Sequence, residues 1–203
     1  MMRAESEQVV GLMIATSFAA GLNVPATIMT LGVLARAGAI TLPPALHLLD
    51  NPWVIGASAI LFVIELVADK IPGLDLLWNA AQTFVRVPAG ALLAYGATSE
   101  LSPLAQLAAA AAGAVIALIA HGGKTAARAA VTPSPEPFSN VALSLGEDAV
   151  SIGVTWLATR HPYIAAAIAL VLMAVIVLFV RWVVRALGAL FRPKPATHAG
   201  ARD

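Results

Sequence analysis

The 203-residue sequence contains no cysteine, and only 11% of it is charged. Without a thiol there is no disulfide, no cysteine nucleophile and no cysteine-ligated metal. Soluble domains carry roughly 25% charged residues. The small charged share, together with 60% hydrophobic residues and a mean hydropathy of +0.86, therefore defines an integral membrane protein. A formal net charge of +1 excludes the basic stripe of a nucleic-acid binder. Also missing are HExxH, GxSxG, a phosphate loop of the form GxxxxGK[ST], and any Ser/His/Asp triad. The four histidines are scattered, which excludes a catalytic zinc of the usual spacing. The sequence offers no catalytic residue, and an enzyme is not the expected class.

What is present is a set of apolar runs separated at proline, glycine and charge clusters. The first, Val9 to Gly38, is interrupted by "GLNVP" (21–25); its acidic start, with Glu5 and Glu7 against Arg3, marks a retained span rather than a signal peptide. The others are Trp53 to Ala68, "VRVPAGALLAYGA" (85–97), residues 104–120, "DAVSIGVTWLA" (148–158) and Tyr163 to Leu187. A span needs about 20 residues, so 85–97 and 148–158 either re-enter or cross with polar ends tucked into the bundle. Six crossings with both termini cytoplasmic place ten of the twelve Lys and Arg inside and leave only Arg36 and Arg160 outside. "DLLWNAAQTF" (75–84) reads as a helix along the inner interface. The fold expected is an all-α membrane domain over 1–192, some helices short or broken at proline, with a disordered cytoplasmic tail over 193–203. "NVPATIMTLGVLA" (23–35) echoes "RVPAGALLAYGA" (86–97), and 51–67 echoes 161–177, which suggests helix-pair modules sharing one orientation.

The polar residues inside this apolar frame are the candidate functional ones. Glu65 and Asp69 share a helix face at i, i+4, followed by Lys70 and Asp75. Asp69 and Lys70 suit a membrane edge, whereas Glu65 lies a turn deeper, where a carboxylate requires a cation or a proton. In "TPSPEPFSNVALSLGED" (132–148), Glu136 sits among prolines, and Asn140, Ser144, Glu147 and Asp148 follow at helical spacing. Acids opening a short span would also complement a helix dipole. Pro25 and Pro88 are helix-breaking positions expected to line a pathway, the first freeing carbonyls near Gly21 with Asn23 as cap or solute contact. Arg86 is a natural partner for an acid. "AHGGKTAAR" (120–128) supplies His121, Lys124 and Arg128 around a glycine turn.

These blocks, "GLNVPAT" (21–27), E-x-x-x-DKIP (65–72) with Asp75, R-x-PAGALL (86–93) and SPEP-x-SN-x-x-x-S-x-x-ED (134–148), resemble the membrane proteins grouped as the domain-of-unknown-function 4126 family. The resemblance implies a polytopic bacterial inner-membrane protein and assigns no activity. The expected function is a transporter or channel for a cation or small polar solute, in contact with the bilayer and assembled as a homo-oligomer through "AAAAAGA" (108–114). The alternatives are a non-catalytic scaffold and a Mg-dependent enzyme acting on a lipid phosphate. No cofactor is expected beyond a divalent cation at the acidic cluster.

Overall fold

A computed structural model describes the backbone of residues 2–68, 74–131 and 137–190, and their side chains except at 2–7, 74–76, 129, 131, 137–140, 186–187 and 189–190. All elements among the described residues are helical. They are α1 (Met2–Leu22), α2 (Val24–Arg36), a 3-10 segment (Pro44–Asp50), α3 (Pro52–Ala68), α4 (Leu74–Ala97), α5 (Pro103–Val131), α6 (Pro137–Arg160) and α7 (Pro162–Leu190). Proline is the first residue of α3, α5, α6 and α7. There its fixed φ suits a helix start and its missing N–H is one the helix would leave unpaired anyway. Asn51 Oδ1 caps the start of α3 by accepting the Trp53 N–H at 2.9 Å.

The chain reverses at Asn23. Gln8, Val9 and Leu12 of α1 line one cavity of about 760 Å³ together with residues 39–44, which follow α2. At 1.5 Å per residue a straight continuation would set Leu12 and Leu42 about 45 Å apart. The cavity is also lined by Ala97, Thr98, Glu100 and Leu101 at the α4–α5 corner and by Ala158 to Arg160 and Pro162 at the α6–α7 corner. So α2, α4 and α6 run toward this cavity end, and α1, α3, α5 and α7 run away from it. The first apolar run is therefore a helical hairpin and not one broken crossing. The described part of α1 begins at the cavity end and α7 runs toward the other. Three sequential pairs, α2–α3, α4–α5 and α6–α7, share one orientation, and α1 packs on both members of the last two and on α2.

Two apolar clusters flank α1. Met13, Ala20, Leu31, Leu46 and Leu93 form one, and Phe18, Leu22, Val154, Ala165 and Met173 the other. Small residues set the closest approaches. A Cβ on Gly113 would lie 2.5 Å from Gly90 O and 2.5 Å from Ala94 Cβ, so α4 and α5 meet through backbone. Ala109, Gly113 and Ala117 are buried within the chain, so this face of the alanine-rich stretch packs internally and is not open to an oligomer partner.

α5, α6 and α7 are long and apolar enough to cross a membrane over Pro103–Arg128, Val141–Arg160 and Pro162–Arg185. The 3-10 segment with α3, bent by 67°, makes a fourth if it counts as one span. Gln8–Leu22 and Val24–Arg36 are shorter. Exposed Ile60, Val63 and Val67 on α3 and Val171, Val175 and Leu178 on α7 suit lipid contact. The protein is thus a helical membrane protein. The two short runs of the sequence are parts of longer helices: 148–158 lies within α6, while 75–84 and 85–97 are one helix, α4, so 75–84 is not a separate interfacial helix. Pro88 does not break α4. It costs one bond to the Phe84 carbonyl, and packing of α4 on α5 and α1 holds the helix through it.

Gly113→Ala is expected to destabilise the bundle by about 1–3 kcal/mol through overpacking. Gly122→Ala, whose new methyl meets nothing within 4 Å, should be neutral or stabilising by up to about 1 kcal/mol. Thermal unfolding in detergent checks both.

Candidate functional site

At the end away from the cavity, polar stripes at helical spacing face one another. α4 presents Asn79, Thr83 and Arg86; α5 presents His121, Lys124 and Arg128; α6 presents Ser144, Glu147, Asp148 and Ser151. Glu65 reaches in from the last turn of α3, with Ser58 buried two turns before it. Six ionisable side chains of opposite sign, three acids and three bases, are each at most 8% exposed. Burying an unpaired charge is prohibitive, so the pairing among them dictates the local structure.

The pairing is an alternating chain. Arg86 donates through NH2 to Glu65 Oε1. Lys124 Nζ lies 3.2 Å from the same oxygen and 3.1 Å from Glu147 Oε2. Arg128 NH2 donates to Glu147 Oε2 at 3.0 Å. Arg86 NH1 also lies 3.0 Å from His121 Nδ1. A guanidinium only donates, so Nδ1 accepts, and the ring proton on Nε2 points to Thr83 Oγ1 at 2.7 Å. Glu65 Oε2 and Glu147 Oε1 are buried and have no hydrogen-bond partner among the described residues. Such an unmet acceptor costs about 1–3 kcal/mol or more.

The hairpin apex feeds into this chain. Asn23 is extended (φ −153°, ψ 104°) and fully buried. Its Oδ1 accepts the Ala26 N–H at 2.8 Å and its Nδ2 donates to Asp148 Oδ1 at 2.8 Å. Because the Ala26 N–H turns to Asn23 Oδ1, and Pro25 has no N–H, the Gly21 and Leu22 carbonyls lose their i+4 donors, whereas Ala19 O and Asn23 O keep theirs from Asn23 and Thr27. Lys124 takes Leu22 O at 3.4 Å, and Ser151 Oγ lies 3.1 Å from Ala19 O and 3.2 Å from Asn23 O. Thr27 Oγ1 contacts Ser151 Oγ at 3.1 Å. Pro25 sits in the first turn of α2, where it is favourable.

Of the residues singled out in the sequence, Asn23, Glu65, Arg86, Ser144, Glu147 and Asp148 are buried at this end. Asp69, Lys70 and Glu136 lie outside the described residues, as does the 193–203 tail. Asp75 and Asn140 lie in the first turns of α4 and α6, with side chains outside the description. Pro88 is exposed and lines nothing in this cluster. Glu147 and Asp148 stand mid-helix in α6 rather than at its start, so a helix dipole does not explain them. His121, Lys124 and Arg128 belong to a continuous helix and not to a glycine turn; their i, i+3, i+7 spacing was the available signal. Gly123 is there because Ile176 of α7 packs against it. Among the described residues no group of three His, Asp or Glu side chains is placed to hold a metal ion. Glu65 and Glu147 face cations instead, so the described residues of the cluster do not fit a divalent ion.

Fold and site together define a small polytopic helical membrane protein with a buried chain of ion pairs. Over residues 10–182 the sequence matches the family described as Domain of unknown function (DUF4126), and the chain belongs to that family. No curated protein and no solved structure matches it.

Lys124→Met leaves two carboxylates without their shared cation and should destabilise the protein by about 3–5 kcal/mol. Arg36→Met, at an exposed position, should change stability by less than about 0.5 kcal/mol. Unfolding of the two variants side by side in one detergent is the check.

Proposed function

We propose that this protein is a transporter or channel for a cation or small polar solute, with the alternating chain Arg86–Glu65–Lys124–Glu147–Arg128 closing one end of its path. The observation behind this reading is the burial of three acids and three bases in a membrane bundle at the apex of a helical hairpin. Intramembrane charge in such a place marks pathways and relays by default. The cavity of about 760 Å³ at the other end, lined by polar Gln8, Thr41, His47, Thr98 and Thr159, is the entrance. Protonation of Glu65, or a solute taking its place, releases Arg86 and Lys124 and opens the chain, which couples movement to protons.

In this reading α3 to α7 cross the inner membrane, and the hairpin α1–α2 enters and returns from the cavity side in place of a sixth span. Three of the cations counted for topology are inside the ion-pair chain. Outside it, by sequence alone, Lys70 follows α3 and Arg192, Lys194 and Arg202 follow α7, whose last turns carry Arg181 and Arg185, against Arg3, Arg36 and Arg160. That excess makes the cluster end cytoplasmic. A homo-oligomer, which so small a bundle would use to enclose a wider path, is part of the same proposal.

A scaffold is the second reading, favoured by the formal cancellation of charge within the cluster. The Mg-dependent lipid enzyme has no such support, since the glutamates of the cluster face cations. Proton and cation flux into liposomes carrying wild-type protein should fall to the level of protein-free vesicles with Glu65→Gln. Equal flux from the two, or no flux of protons, cations or small neutral solutes such as glycerol and urea from folded and inserted wild type, would move the assignment to the scaffold.

A further inference from the structure

One face of α4 carries polar atoms that have no hydrogen bond among the described residues. Asn79, Gln82 and Arg86 follow at i, i+3 and i+7 and so share a side. They are only 3%, 9% and 0% exposed. Both amide atoms of Asn79, Oε1 of Gln82, Nε of Arg86, Nε1 of Trp78 and Oε2 of Glu65 are buried with no hydrogen-bond partner among the described residues. The set mixes N–H donors (Trp78, Asn79, Arg86) with oxygen acceptors (Asn79, Gln82, Glu65). Asn79 lies about 10 Å along the helix from Arg86, toward the cluster end. The stripe therefore runs from that end of the bundle to the first ion pair.

Polar atoms at membrane depth persist where they meet water or a solute, because hydrocarbon offers them nothing. We infer that the Asn79–Gln82–Arg86 face of α4, with Glu65 Oε2, is a binding path for an uncharged hydrogen-bonding solute: water, or a small polyol or amide. The solute class follows from the charges. Among the described residues three carboxylates against three cations leave the cluster no net charge to attract an ion, and no trio of His, Asp or Glu is placed for a metal. Alternating donors and acceptors instead match a molecule that both gives and receives hydrogen bonds. The movement of that molecule rests on the transport reading; its binding on α4 does not.

The chain has no cysteine, which makes the test direct. Asn79→Cys and Gln82→Cys are reconstituted in vesicles and treated with a small water-soluble methanethiosulfonate, beside Leu93→Cys in the apolar core of the same helix. Both polar positions should label about tenfold faster or more than position 93, because apolar surroundings suppress the reactive thiolate. Glycerol or urea at high concentration should slow that labelling. Wild-type vesicles are then followed by light scattering under water, glycerol and urea gradients, and by ion-sensitive dyes. Fast labelling with water, glycerol or urea permeation supports the inference in full. Fast, glycerol- or urea-protected labelling without any permeation supports the binding path and overturns transport. Labelling at 79 and 82 as slow as at 93, in variants that unfold at the wild-type temperature, overturns the inference. So does permeation of ions with none of the neutral solutes.

Discussion

The ammonium group of Lys124 is the point on which the rest of the structure depends. Its Nζ lies 3.2 Å from Glu65, 3.1 Å from Glu147 and 3.4 Å from the Leu22 carbonyl. It thereby ties α3, α6 and the end of α1 to α5. An ammonium has three N–H donors, and these three acceptors come from three different helices. Removing the cation takes one of the paired cations from each of Glu65 and Glu147 and the side-chain donor from a helix-end carbonyl at once. The alternating neighbours, Arg86 and Arg128, extend the same logic outward: each charge is tolerable in an apolar bundle only because the next one is there.

The hairpin and the ion chain are one construction. Asn23 stops α1 by turning its side chain to Ala26, which frees the Leu22 carbonyl that Lys124 takes. The same Asn23 side chain satisfies an oxygen of Asp148. A turn between two short helices, too polar for lipid by itself, is stable here because α5 and α6 bring hydroxyl, ammonium and carboxylate groups to it. Irregular backbone at membrane depth occurs where protein surrounds it. The apex also places the hairpin between the cavity at one end and the charges at the other, so a change at Glu65 reaches the hairpin through Lys124.

The sequence made much of this legible, and its failures have a common cause. The all-helical class, the break at "GLNVP" and the unusual depth of Glu65 follow from composition, proline chemistry and spacing. The runs 85–97 and 148–158 read as too short because hydropathy counts an inward polar stripe as the end of a span. Asn79, Gln82 and Arg86 truncate α4 in that measure, and Ser144, Glu147 and Asp148 truncate α6, although both helices continue. His121, Lys124 and Arg128 read as a loop because of the two glycines, which instead sit in a helix. The same buried cations inflated the charge count used for topology. Hydropathy reports what a residue is, not which way it faces, and a reversal of direction within a single apolar run is invisible to it.

A double-mutant cycle between Glu65→Gln and Lys124→Met, read as unfolding free energy in detergent, tests most directly whether these charges act as one unit. If they do, the double variant loses less stability than the two single losses together, with a coupling of about 1–3 kcal/mol. Losses that add to within about 0.5 kcal/mol would mean that the two side chains act independently, and the ion chain would not be the constraint that holds this bundle.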